Sequence, residues 1–317
     1  MLTSNWAKAL EPNITEWIHE GFLEHPDSTT EIFDVLNESS AVIRFHDSFG
    51  PRIIPKSSEA AATQLVSRQK GYETVATPQI FKAKMFASAE MVRWNQYREI
   101  MDDAKDLGRS VIQTLNLFGN SALIEAFTST STSYGDSKPL CSTSHTRPDG
   151  GTAQSNASSN SIALNETNLE IAILALRQQL SGTGRKLNIG GGNLVLVVPE
   201  ALEKEAVIIT GSQLRSGTAD NDLNWYKGRV NVYVNPWIGS DVTSMANSVA
   251  GSDTAWFLLV QGQHGLKFVW DQKPVYKSWQ DNDTDAMYTK VYFSCQYLWA
   301  HWYGIWGSKG DGTSYSS

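Results

Sequence analysis

The stretch SAEMVRWNQYREIMDDAKDLGRSVIQTLNLFGNSALIEAF, residues 88–127, decides the fold. Within it Met91, Trp94, Tyr97, Met101, Ala104 and Leu107 recur at steps of three or four, and Val111, Leu115, Phe118 and Ala122 continue the series. That is the period of one apolar stripe on one helix. Ser88 supplies an N-cap side chain, and Gly108 and Gly119 are places where the helix can bend. At about 1.5 Å per residue, a continuous helix over 88–127 is on the order of 60 Å long, several times the usual helix of about 11 residues. A helix of that length serves as a strut.

Upstream of it, residues 1–42 read as short amphipathic pieces, 6–10 and 14–23, interrupted by Pro12 and Pro26. Pieces this short make no core of their own, so they are expected to lie on something else as an arm. Residues 43–86 are extended in character. Ile80, Lys82, Lys84 and Phe86 share one face of a strand and Phe81, Ala83 and Met85 the other, with neither side clearly buried. A hairpin built this way projects from its domain unless a partner covers it.

Downstream, 128–161 is rich in Ser, Thr, Gly and Asn and reads as a long surface connection. Asn165 caps a second helix whose stripe is Leu169, Ile173, Leu176 and Leu180, stopped by Gly182 and Gly184. From 191 the pattern is α/β: a buried strand over 194–198, a helix opened by Pro199, and a strand with Val230, Val232 and Val234 on one face. Further strands are predicted at 255–260, 266–270 and 287–293. Trp299, Trp302, Tyr303 and Trp306 crowd the tail at the density of a core or an oligomer interface. The fold class is α+β.

Length and composition bound the function. A chain of 317 residues, 41% apolar and 19% charged, can bury a substantial core. Its formal charge of −7 argues against a broad basic face gripping nucleic acid, so DNA contact is expected to be non-specific and weak. No basic stretch followed by an apolar core marks a secretion signal, and the longest apolar runs, such as 194–198 and 256–260, fall far below the ~20 residues that cross a bilayer. No membrane association is expected. With Cys141 and Cys295 far apart, the reading is a protein made in a reducing cytoplasm. The Asn-x-Thr triplets at Asn13 and Asn165 then have no consequence.

A search for chemistry assigns no catalytic, cofactor-binding or metal residue. Cys141 and His145 could form half of a metal site, but no second pair lies nearby in sequence, and His264 and His301 stand alone. Asp281, Asp283 and Asp285 imitate the start of a calcium loop, yet Ala286 replaces the required Gly and Tyr292 the closing Glu, leaving a solvated acidic turn. The run Gly190, Gly191 and Gly192 precedes a strand and lacks a following Gly-Lys-Ser/Thr, the reverse of a phosphate loop. Neither a Gly-x-Ser-x-Gly elbow nor His-Glu-x-x-His occurs.

The order arm, projecting two-stranded loop, very long helix, mixed α/β region resembles the fold shared by major capsid proteins of tailed bacteriophages. Local wording resembles the Mu-like phage major head subunit family: Met1-Leu-Thr-Ser-Asn-Trp-Ala-Lys-Ala-Leu-Glu-Pro12 with Phe22, Ile32 and Phe33, Leu140 through His145, Gly150-Gly-Thr-Ala-Gln-Ser-Asn156, Ala175-Leu-Arg-Gln178 and Leu194-Val-Leu-Val-Val-Pro-Glu200. The Trp-rich tail and Cys141 depart from that pattern. The resemblance implies an N-terminal arm (1–42), an extended β-hairpin loop (43–86), a spine helix with a peripheral domain (87–190), an axial domain (191–290) and a C-terminal strand and tail (291–317).

By the same resemblance the chain is no enzyme and needs no cofactor. It assembles with itself into hexamers and pentamers of an icosahedral shell around double-stranded DNA, with hinges at Pro26, Gly50, Pro51 and Gly71. About forty residues precede the loop, too few for a fused scaffolding domain, so a separate scaffold or maturation protease is expected beside a portal and a decoration protein. One branch of the fold crosslinks a loop lysine to a neighbour; Lys56 and Lys70 occupy that region, and a solvated lysine is the simpler reading. The location implied is the virion capsid, after assembly in the bacterial host cytoplasm. Two alternatives stand beside this: an encapsulin-like bacterial nanocompartment shell with the same fold, and a soluble α/β enzyme, which would be a monomer with a deep polar pocket.

Overall fold

The computed structural model describes residues 6–50, 53–54, 56–59, 62–63, 65, 67–128, 134–189, 191–213 and 223–315. In chain order the elements are α1 (Trp6–Leu23), α2 (Ser28–Ile32), β1 (Asp34–Asn37), β2 (Ile43–Phe49), β3 (Gln69–Ala76), β4 (Gln79–Ala87), α3 (Ala89–Arg93), α4 (Tyr97–Ile124) and α5 (Glu166–Gln178). Then come β5 (Leu194–Val198), α6 (Glu203–Gly211), β6 (Val230–Val234), β7 (Trp256–Val260), β8 (Leu266–Gln280), β9 (Met287–Trp299) and β10 (Ile305–Ser308). The chain divides into two compact units, and the α+β class holds in both.

The first unit gathers the described residues of Met1–Ile43, Thr77–Gly119 and Phe268–Tyr297. Its sheet runs in the order β1-β8-β9-β4. The strut of 88–127 is two helices rather than one. Ser88 accepts from the Met91 N–H as the N-cap of α3, Trp94 closes α3, and Asn95 takes a left-handed φ of 58° before α4 begins. Asn tolerates that conformation better than other non-glycine residues, so it is where the chain turns. The periodic positions Trp94 and Tyr97 consequently face solvent, whereas Ile100, Ala104, Val111, Ile112, Leu115 and Phe118 form the buried stripe.

Helix α1 runs unbroken through Pro12. Proline inside a helix removes one hydrogen bond and crowds the preceding turn. Here Leu10, Ile14 and Ile18 are buried in one cluster with Ile100 and Ala104, so packing against α4 outweighs the local penalty. The crossing is tight at two glycines. A Cβ on Gly108 would land on the backbone of Ile18, and one on Gly21 on the backbone of Lys105. Gly119 likewise lies against Thr29. What the fold asks of Gly108 and Gly119 is close approach. Further along the same stripe of α4, Phe118 meets Phe81 and Tyr297 edge to face at 5.1 and 5.0 Å, and Phe81 stacks on Phe293 at 5.1 Å, fixing the helix on the sheet.

Strands β8 and β9 extend well past the predicted 266–270 and 287–293. They form a hairpin whose tip carries Asp281, Asp283 and Asp285. There Asp281 accepts from the Thr284 hydroxyl at 2.8 Å and Asp285 takes a φ of 50°, a self-contained solvated turn.

The second unit gathers the described residues of Arg44–Ala76, Asn120–Lys267 and Leu298–Ser317. Its sheet has the order β10-β7-β5-β6, with β5 parallel to β6 and antiparallel to β7. The apolar run of β5 sits centrally, as a strand covered on both faces requires. Asn165 caps α5 by accepting from the Asn168 N–H at 2.8 Å, and Pro199 opens a short 3-10 turn before α6. The aromatic tail is core: Trp299, Trp302, Tyr303 and Trp306 are all buried. Strands β2 and β3 pair as a two-stranded ribbon, in which Gly71 lies mid-strand against Phe49 and Asp47 rather than at a hinge. Pro51 lies outside the described residues.

Residues 134–161 are not the surface connection that their composition predicts. Leu140, Cys141, Ser142, His145, Asn156 and Ala157 are all buried. Polar side chains carry this irregular backbone inside, because buried N–H and C=O groups must find partners. The 129–133 part of that segment lies outside the described residues.

Candidate assembly surfaces

Two kinds of feature bear on function: buried polar hubs that hold irregular loops still, and apolar side chains left in solvent. The first hub centres on His145. Its Nδ1 lies 2.6 Å from Asp136 Oδ2, its Nε2 3.1 Å from Asn156 Oδ1, and its ring stacks on Trp302 at 4.5 Å. Asn156 also accepts from the Ser142 N–H at 2.8 Å and donates to the Leu140 carbonyl at 2.7 Å. The amide side chains of Gln154 and Gln179 act like lengths of backbone. Gln154 exchanges two bonds with Leu180, and Gln179 accepts from the Gly304 N–H while donating to the Ile305 carbonyl.

The second hub is Glu125, fully buried just past the end of α4. Its carboxylate accepts from Ser244 Oγ at 2.5 Å, from the Asn247 N–H at 3.0 Å and from Asn247 Nδ2 at 2.6 Å. A negative charge at a helix C-terminus opposes the helix dipole, so these three donors are what make the position tenable.

The residues singled out for chemistry are not brought together. Both ring nitrogens of His145 are engaged as above, and Cys141 is buried against Gly307. Among the described residues no group of three or more His, Cys, Asp or Glu could hold a metal ion. His264 and His301, isolated in sequence, come from segments that meet through Gly265, whose carbonyl accepts from the Ala300 N–H. Gly191 and Gly192 form an open bend before β5, and Gly190 lies outside the described residues. Lys56 and Lys70 are exposed.

Burial sets the titration of the second unit. The Tyr134 hydroxyl donates to Asp47 Oδ2 at 2.8 Å, and desolvation holds the Asp47 carboxyl above the usual carboxylate range. Burial likewise pushes the Tyr134, Tyr303 and Cys141 groups far up. In the first unit it pushes the Cys295 thiol up to about 12. These groups keep their protons in the fold, whereas unfolded thiols and phenols release them from about pH 8.5 to 10. Their contribution to stability is therefore complete below that window and is lost progressively as pH rises from it toward the raised values of the folded state. The melting temperature should hold between pH 7 and 8.5 and fall progressively toward pH 11; a flat profile to pH 11 would contradict the burial of these groups.

The apolar surface is concentrated in particular places. Between β2 and β3, Ile53 is 72% exposed, Ile54 79% and Leu65 96%. On α5, Ile171 and Leu174 are exposed beside a cleft of about 370 Å³ lined by Gln154, Ser158, Gln178 and Trp306. In the first unit Ile80 and Phe86 stand out from β4, an edge strand whose outer main-chain groups have no neighbouring strand in the sheet. Apolar area left in water forgoes about 25 cal/mol per Å², and a free strand edge is a template for another chain. Grouped as here, such features mark surfaces completed by association. In the sequence the alternation around Ile80 was visible, but the exposure of α5 was not, because Ile171 and Leu174 read as ordinary helix positions.

Over residues 71–307 the sequence matches the family described as phage capsid protein. The sequence matches no curated protein. Among solved structures, the chain is similar to the bacteriophage JBD30 capsid, with 14% identity and a TM-score of 0.53 over 68% of this chain and 92% of that one. It is also similar to the mature capsid of bacteriophage PhiM1, at 12% identity and a TM-score of 0.52 over 90% and 87%. A third structure, the virus-like particle from Pyrococcus furiosus, gives 9% identity and a TM-score of 0.51 over 93% and 97%. At these identities the likeness concerns the fold.

Proposed function

The chain belongs to the phage capsid protein family, and from that premise we propose that it is the major head subunit, closing with copies of itself into hexamers and pentamers of an icosahedral shell around double-stranded DNA. The observation that carries this reading is the family match across 71–307, which reaches into both compact units. Physical support comes from the uncovered Ile53, Ile54 and Leu65, which a neighbouring copy would desolvate. Many modest contacts of this kind, closed into a shell, add up through avidity.

In this reading 1–42 serves as the arm, 43–86 as the extended loop, 87–190 as the spine and peripheral part, 191–290 as the axial part, and 291–317 as the closing strand and tail. The subunit catalyses nothing. It works beside a portal, a scaffold or maturation protease and a decoration protein, is assembled in the host cytoplasm, and ends in the virion. Kinship with Mu-like head subunits rests on the wording at 140–145, 150–156 and 194–200.

A second reading, a nanocompartment shell of the same fold, is favoured by the similarity to the virus-like particle, which spans 97% of that chain. Cargo separates the two: DNA inside particles recovered from producing cells supports the virus, and an enclosed enzyme the compartment.

Charging the loop tests the assembly reading. The triple variant Ile53→Lys, Ile54→Lys, Leu65→Lys should leave the circular dichroism and melting temperature of the subunit unchanged and abolish the assembled fraction on size exclusion. Assembly at the wild-type level in the triple variant would show that the loop closes nothing.

A further inference from the structure

The outer face of the β4-β9-β8 sheet carries a regular array of cations and aromatic rings. Antiparallel register puts Lys82 opposite Tyr292, Lys84 opposite Lys290 and Phe86 opposite Tyr288. Residues opposite one another in such a pair point to the same side. Strand β8 adds two more: Trp279 stacks on Tyr288 at 5.6 Å, and the Lys277 ammonium lies 5.9 Å from the Tyr292 ring centre. The Lys84 ammonium sits 4.8 Å over the Tyr288 ring and that of Lys290 5.7 Å over Trp279.

Two properties of this face stand out in a chain of net charge −7. Three of its four lysines, Lys84, Lys277 and Lys290, lie over aromatic rings, and among the described residues none of the four is in an ion pair with a carboxylate. Their positive charge is thus positioned but uncompensated. Acids stand at its borders: Asp271, bonded to Ser39 Oγ toward the far end of β8, the aspartates of the hairpin tip, and Glu11, which lines a small cleft with Trp279. Along a strand alternate residues are spaced about 6.7 Å apart, and neighbouring strands about 4.8 Å. That makes a two-dimensional lattice of charge with nothing in it to read a sequence.

From this array we propose that the β4-β9-β8 face is a binding site for the phosphodiester backbone of DNA, with Lys82, Lys84, Lys277 and Lys290 on phosphates and the exposed rings of Phe86 and Trp279 against sugars and bases. Lysine contacts of this kind fix a duplex without selecting its sequence, and aromatic faces tolerate any base. The inference rests on the capsid reading only for bringing DNA to the protein. It refines the charge argument from composition: the chain as a whole repels a polyanion, and this face is where one is held.

The test is fluorescence anisotropy of a short labelled DNA duplex of mixed sequence, titrated with purified subunit from low to moderate salt. A parallel titration uses labelled polyglutamate of matched charge. The quadruple variant Lys82→Gln, Lys84→Gln, Lys277→Gln, Lys290→Gln is compared with a control that changes exposed Lys56, Lys186, Lys204 and Lys227 to Gln, each checked for an unchanged melting temperature. Wild type and control should bind the duplex alike. The quadruple variant should bind at least tenfold more weakly at low salt, and the slope of log affinity against log salt should shrink by about three to four, at about 0.9 per phosphate contact. Equal loss in the control would reduce the effect to net charge and overturn the site, as would no loss in the quadruple variant. Polyglutamate bound as tightly as DNA would assign the face to an acidic protein segment instead. Because these are subunit measurements, a negative result leaves the capsid reading untouched, and failure to assemble leaves the binding result readable.

Discussion

Replacing Gly108 by leucine should destabilise the unassembled subunit by about 3 kcal/mol or more, the upper range for overpacking a filled site. The cause is specific. At Gly108 the backbone of α4 meets the backbone of α1 at Ile18, and no flexible side chain stands there to move aside. A side chain can fit only if α1 lifts, which uncovers Leu10, Ile14 and Ile18 together. Gly108→Ala should act in the same direction with a smaller loss. Denaturant unfolding measures the change, and limited proteolysis should show earlier cleavage within 6–23. A Gly108→Leu subunit within about 0.5 kcal/mol of wild type, the scatter expected of surface changes, would show that the two helices do not cross as described.

Glu125→Ala should cost a comparable amount, about 3–5 kcal/mol. It strands the Ser244 hydroxyl and two donors of Asn247 in the interior, each unsatisfied group costing about 1–3 kcal/mol, partly offset by removing a buried charge. Glu125→Gln separates shape from charge. Gln keeps one acceptor oxygen but turns an NH₂ toward the donors, so it should recover part of the loss and no more. A neutral Glu125→Ala would mean that the loop over 244–249 is held by something else.

The parts of this fold that were legible in sequence are those where one local period decides. The buried stripe of α4, the caps at Ser88 and Asn165 and the apolar strand β5 all follow from spacing within a single element. The break at Asn95 was hidden, because Met91, Trp94 and Tyr97 keep the helical period across it while the backbone does not. Pro12 misled in the opposite direction: the burial that carries α1 through it is contributed by residues about ninety positions away, Ile100 and Ala104.

Long-range polar structure was the least legible. Asp136, His145 and Asn156 have no periodic relation, and the ring that stacks on His145 comes from Trp302 near the other end of the chain. A composition rich in Ser, Thr and Gly therefore read as surface when its backbone is buried. The lysine-aromatic face was half visible, since the alternation of Ile80, Lys82, Lys84 and Phe86 places both lysines on one side. What completes it is the register with β9, some two hundred residues downstream.

The central claim, that this chain is a shell-forming subunit, is tested most directly by negative-stain electron microscopy of the purified protein after size exclusion over a range of concentrations. The capsid reading predicts rings of five or six subunits, tubes or closed shells whose proportion rises with concentration. A compact monomer at every concentration, with no particles formed, would contradict it.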